Sequence, residues 1–219
     1  ATQGRAFWVL DDLSVLQQLN AGISAKNLHV FNNSEVWRIA GSSFGGNFGS
    51  SRNAGANPPN GAVINYYAKE VKDSTKASIT LYDKNNQKIR TYATDAKEAG
   101  DKMELAKGMN QFVWNLQYPP SERIEGMILW NGLPGGIVAP PGNYSYLLKV
   151  GNDSARGSFN INADPNYKIT AAEYDEQFTF LMKVKGKFDE VQQGIKDIRA
   201  LRTQMTDFTG RQPKESIKE

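Results

Sequence analysis

A single histidine and no cysteine among 219 residues leave little material for nucleophile–base pairs or for soft-metal chemistry. The histidine, His29, lies in "KNLHVFNN" with no serine, cysteine or carboxylate at a telling offset, so it reads as structural or surface-exposed. Asp11 and Asp12 form the most tempting acidic pair, since paired carboxylates serve glycosidases and calcium sites. Neighbours on an extended chain point to opposite faces, however, and a turn followed by a helix cap explains both residues. "YDKNNQK" offers Asp83, Asn85 and Gln87 as oxygen ligands, but lacks the glycine and closing glutamate of a calcium loop. Asn85-Asn86 between two strand signals reads as a hairpin turn. "NGLPGGIVAPPG" is rich in glycine, yet no strand precedes it and no GKS or GKT follows, so it shapes a loop and cradles no phosphate. Glu122 and Glu125 are the remaining carboxylates of interest. They would need a partner about 5 Å or about 6.5–9.5 Å away across an aromatic groove. The sequence therefore predicts no catalytic, cofactor-binding or metal-binding residues, no cofactor, and no enzyme activity for this chain alone.

Aromatic residues carry the remaining ligand chemistry. Trp130, beside the glycine loop, could stack on a sugar ring, although anchoring the loop is the simpler role. Phe31, Trp37, Phe44 and Phe48 stand in a polar stretch, where they pin an extended arm or face a ligand. Trp114 alternates with Phe112 and Leu116 and reads as core. The candidate ligand or interface residues are thus Trp130, Trp37, Phe44, Phe48, Phe7 and Trp8. Three N-x-S sequons, at Asn32, Asn143 and Asn152, matter only in a glycosylating pathway.

Composition narrows the class. Hydrophobic content of 39% and charged content of 22% describe a globular chain long enough for a core that needs no staple. The net charge is only +3, and basic residues do not gather with aromatics on one face, which excludes nucleic acid as a partner. No apolar run approaches the roughly 20 residues of a membrane span. A chain that opens at Ala1 without Met reads as a processed protein or a fragment.

The elements that must position these residues follow from period and punctuation. Residues 1–22 read as a strand (Ala6 to Leu10) and a short helix with Leu13, Leu16 and Leu19 on one side. Residues 23–60 read as a Gly/Asn-rich extended linker. "SRNAGANPPNGAVINYYAKE" (51–70) launches the first strand of a sandwich, in which Ala62, Ile64, Tyr66 and Ala68 share a face. Residues 61–165 carry short alternating strands and a 138–165 hairpin tipped at Gly151–Ser154, which predicts a mainly β, antiparallel, immunoglobulin- or fibronectin-like sandwich. Residues 168–209 switch to a helical period, capped by Thr170 with Glu173 and open to bending or breaking into a hairpin at Gly186 and Gly194. Its apolar stripe reads Tyr174, Phe178, Leu181, Val184 or Lys185, Phe188, Val191, Ile195, Ile198, Leu201 or Arg202, Met205 and Phe208. The tail, 210–219, is polar.

"ATQGRAFWVLDDLSVLQQL" resembles the closing segment of bacterial sortilin-like, BNR-repeat propeller proteins labelled glycosyl hydrolases. "NPPNGAVINYY", "GMNQFVWNLQYP", "APPGNYSYLLKV" and "DPNYKITAAEYDEQFTF" look like the region after the propeller in the same proteins. Gln3 departs from the histidine of the "THGR" form of that ending, and the glycine-rich 41–56 departs from plainer linkers. The sandwich segment also resembles the Ig-like module of flagellar-hook capping proteins. The resemblance implies a non-catalytic accessory or interaction module of a larger exported protein, periplasmic, cell-surface or secreted, with an N-terminal propeller as partner. It lays no catalytic residue on this chain, so any hydrolase or peptidase-like activity would lie elsewhere in the parent. Carbohydrate binding through Trp130 is the alternative. Homodimerisation through the C-terminal helix or the Phe7-Trp8 strand is a further expectation.

Overall fold

The computed structural model describes residues 12–39, 59–122, 124, 126–128 and 135–211. Phe7, Trp8, Phe44, Phe48 and Trp130, with Asp11, Glu125 and the Ala6–Leu10 strand signal, lie outside the described residues.

Alternation decides the β-layers. Strand β3 (Ala62–Ala68) buries every second residue, as do β4 (Ala77–Tyr82) and most of β7 (Gly142–Val150). Strands β1 (Leu28–Val30), β3 and β6 (Gly108–Trp114) form one sheet in the order β1-β3-β6. Strands β2 (Val36–Arg38), β8 (Asp153–Ala163), β7, β4 and β5 (Lys88–Ala93) form the other, in the order β2-β8-β7-β4-β5. The two inner faces share one core, with Ile64 and Tyr66 from the first sheet and Ile79, Leu81, Tyr146 and Leu148 from the second. Trp114 sits fully buried between them, its ring 5.7 Å from Tyr144 and 6.0 Å from Phe159.

Two features depart from the sequence reading. The stretch read as linker contributes β1 and β2, and Phe31, just past β1, and Val36, the first residue of β2, are buried. Three-residue strands are too short to display a period, so composition outweighed them. The second sheet is also mixed, because β2 runs parallel to β8 with Val36 opposite Ile161. Alternation tells which face a residue takes and nothing about strand direction.

At the N-terminal side, Ser14–Gln18 form a five-residue helix, α1, with no buried residue; Leu13, Leu16 and Leu19 are exposed. At the other end, α2 (Ala171–Arg211) runs unbroken for 41 residues, about 60 Å at 1.5 Å per residue. Its start is a capping box. The Thr170 backbone N–H donates to Glu173 Oε2 at 2.7 Å, and Glu173 N–H donates to Thr170 Oγ1 at 3.3 Å. Gly186 and Gly194 do not break it, since one glycine costs about 1 kcal/mol against alanine, less than a long helix needs to be interrupted.

A tight turn links β6 to the segment under the helix. Leu116 takes a left-handed φ of 60° while staying buried, and Trp114 Nε1 donates to the Gln117 carbonyl at 3.1 Å. Tyr144, near the start of β7, donates its hydroxyl back to the Pro140 carbonyl at 2.8 Å. Tyr146 donates to Asn33 Oδ1 at 2.9 Å, and Asn33 Nδ2 donates to the Val63 carbonyl at 2.8 Å. Burial pushes the Tyr146 phenol up, so it stays a neutral donor in this bridge between the sheets.

Candidate interaction surfaces

The polar residues suggestive of chemistry are occupied by structure. Asp12 Oδ1 accepts the Ser14 backbone N–H at 2.8 Å and Oδ2 accepts the Ser34 hydroxyl; the Ser14 side chain, its backbone N–H and the Ser34 hydroxyl, in that order, hold the Asp12 carboxyl below the usual range. Asp83 Oδ1 accepts the N–H groups of Asn85 and Gln87, and Asn86 takes a φ of 59°, which makes 83–87 a hairpin turn. His29 lies edge-on to Phe31, and partial burial followed by the nearby Lys26 lowers its pKa. Glu122 pairs with Lys196 of α2. Among the described residues no three His, Cys, Asp or Glu side chains gather as a metal site.

The first half of α2 is fixed to the sandwich by a row of contacts. Arg38 stacks on the Tyr174 ring at 4.7 Å and donates to Gln177 Oε1 at 3.1 Å. Lys84 pairs with Asp175 at 2.6 Å, and the Tyr118 and Phe178 rings meet at 4.9 Å. Farther along, buried Gln192 reaches Met127 Sδ, and Lys196 reaches Glu122. Between β2 and this helix face lies a groove of about 390 Å³, lined by Arg38, Ile137, Val138, Leu181, Val184 and Phe188.

The single apolar stripe read from the sequence is in fact two. Tyr174, Phe178, Lys185, Phe188, Gln192 and Ile195 are wholly or partly buried on the body side. Phe180, Val191, Ile198, Leu201, Met205 and Phe208 lie on the opposite side, each more than half exposed and as much as 68% for Ile198, while Val184 stands between the two rows at the edge of the groove. Beyond Lys196 every residue of the helix is exposed. The outer row was legible as a repeat of sevens, 191, 198 and 205, interleaved with 180, 201 and 208; the near-equality of 3.6 and 3.5 merged it with the inner row.

The second surface is the outer face of the five-stranded sheet. Trp37, the one sequence-predicted ligand residue within the described structure, is 39% exposed on β2 opposite Asn162. Next to it stand the cross-strand pairs Asn143–Asn160 and Ser145–Ser158, and Asn160 donates to Asn162 Oδ1 at 2.7 Å. All three sequon asparagines are exposed.

No family model matches this sequence, and no curated protein matches it. No helix among the described residues is long and apolar enough to cross a membrane, so the outer stripe of α2 is no bilayer span.

Proposed function

We propose that the chain is a non-catalytic, immunoglobulin-like accessory module that works by protein contact through the outer face of α2. The observation that carries this reading is the row Val191, Ile198, Leu201, Met205 and Phe208, exposed on a stretch of helix that mostly extends past its own contacts with the sandwich. Exposed apolar surface of this regularity marks a contact site.

The Ig-like reading is supported by topology. If β1 and β2 together take the place of strand A, then β3, β4, β6, β7 and β8 fall at B, C, E, F and G, with β5 beside β4. The Tyr144 hydroxyl bond to Pro140, at the entrance to β7, matches the tyrosine corner found near the start of strand F. The setting after a propeller in an exported bacterial protein is proposed on the sequence resemblance. In that setting catalysis of any hydrolase or peptidase kind belongs to residues outside this chain.

Substitution tests the contact role directly. Changing Ile198, Leu201 and Met205 together to glutamine, a good helix former, is expected to shift sandwich stability by no more than about 0.5 kcal/mol at micromolar protein. Urea unfolding followed by near-UV circular dichroism reads it. A loss of several kcal/mol would mean that the stripe packs on its own chain, and would overturn the proposal.

A second reading, glycan binding, is favoured by Trp37 standing beside the amide side chains of Asn160 and Asn162. A half-exposed indole ring flanked by amides suits a sugar face and its hydroxyls. Titration calorimetry against soluble oligosaccharides checks it. Any binding through this face is expected to weaken about 10-fold or more in Trp37→Ala, as for a desolvated aromatic anchor. Binding unaffected by that change would exclude the face.

A further inference from the structure

We infer that the occupant of the outer α2 face is a second copy of this chain, paired in parallel as a two-stranded coiled coil over Val191–Phe208. This inference rests on the contact role proposed above and names its partner.

Three observations argue for it. The residues of this face follow an alternating three–four spacing, with the exposed Val191, Ile198 and Met205 at one seam position and the exposed Leu201 and Phe208, preceded by the partly buried Gly194, at the other. Such a narrow seam matches another helix of the same period, whereas packing on a sheet asks for a wider stripe. Second, Gln192 and Lys196 hold the opposite side of α2 against the body, so the seam points away from the sandwich and two copies can approach without collision there. Third, the flanking charges are complementary. Asp197 directly precedes the seam residue Ile198 and Arg202 directly follows Leu201, the i to i+5 relation that bridges helices in a parallel pair. Symmetry makes this contact twice. An antiparallel pair that overlays Val191–Phe208 on itself would set Asp197 near Gln204 and Arg202 near Ile195, which leaves both charges unmatched. Lys187, at the next seam position toward the N-terminus, ends the seam there, since a lysine in the core of such a pair destabilises it.

The seam is about two and a half heptads, so association is expected to be weak and concentration-dependent. The chain has no native cysteine, and a single introduced thiol reports on one position. Under mild oxidation the full chain carrying Leu201→Cys is expected to form a disulfide-linked dimer at least about 10-fold faster than one carrying Thr203→Cys, which faces away from the seam. Asp197→Arg is expected to reduce the dimer fraction of the uncrosslinked protein in light scattering, and adding Arg202→Asp to restore it. Equal crosslinking at 201 and 203, with a monomeric wild type at roughly 1 mM, where even a millimolar dimer would be populated, would overturn the inference. Crosslinking that instead requires mixing Leu201→Cys with Ile198→Cys would reveal an antiparallel pair and overturn it too. In either case unchanged stability of the glutamine variant leaves the contact role standing, whereas a destabilised variant removes both.

Discussion

Trp114→Ala is expected to lower the unfolding free energy by about 3–5 kcal/mol, a large share of the 5–15 kcal/mol typical of a domain. The side chain is fully buried at the end of β6, where it touches both sheets, and it contacts the rings of Tyr144 and Phe159. Its removal subtracts the transfer free energy of an indole and leaves a cavity that neighbours held in strands cannot collapse to fill. It also deprives the Gln117 carbonyl of its Nε1 donor at the turn where Leu116 holds a left-handed φ. A left-handed non-glycine residue costs on the order of 1 kcal/mol or more and persists only when its surroundings over-determine it. Losing the Trp114 bond should therefore loosen the path from β6 to the segment that underlies α2. Urea denaturation followed by far-UV circular dichroism gives the value, and Trp114→Phe should recover a good part of it by refilling the cavity without restoring the bond. A loss below about 1 kcal/mol would show that this site relaxes freely and is not the centre of the core.

The same residues show what was legible in advance. Trp114 announced itself because Phe112, Trp114 and Leu116 alternate, and period 2 places one face of a strand inward whatever the partner strand is. Ala62, Ile64, Tyr66 and Ala68 were readable for the same reason, as were the Asn85-Asn86 turn and the Thr170–Glu173 cap, whose chemistry is local. β1 and β2 were hidden because three residues hold no period, and their identity comes from what they pair with, β3 and β8, far along the chain. The two sides of α2 were hidden for a different reason. A helix that is apolar on both sides gives a broad pattern, and only the contacts of Tyr174, Phe178 and Gln192 with the body tell the inner row from the outer. On the outer sheet face of the second reading, Trp37 was visible by type, but its amide neighbours were not. Asn143, Asn160 and Asn162 come together only through the β7–β8 pairing and the β2 edge.

Gly61 shows how strongly a single loop position can be constrained, and Gly61→Ala is expected to cost about 3 kcal/mol or more. The glycine ends the Pro- and Asn-rich lead-in and precedes Ala62, which pairs with Trp114. Its φ is 146°, a conformation open to glycine and strained for alanine. A Cβ there would also fall 2.1 Å from the Trp114 carbonyl oxygen, a backbone atom that cannot rotate aside. Alanine must therefore separate β3 from β6 at the point where Trp114 enters the core. Gly142 provides the comparison: it has the same φ of 146°, but a Cβ on it would meet nothing within 4 Å. Gly142→Ala is expected to show the conformational cost alone, about 1–3 kcal/mol, and the difference between the two variants measures the backbone approach. If urea midpoints put the two variants level, close contact with the Trp114 carbonyl carries no stability. If Gly61→Ala is the worse, as the 2.1 Å approach requires, the glycine that launches β3 is fixed by packing against β6 and not by freedom to bend.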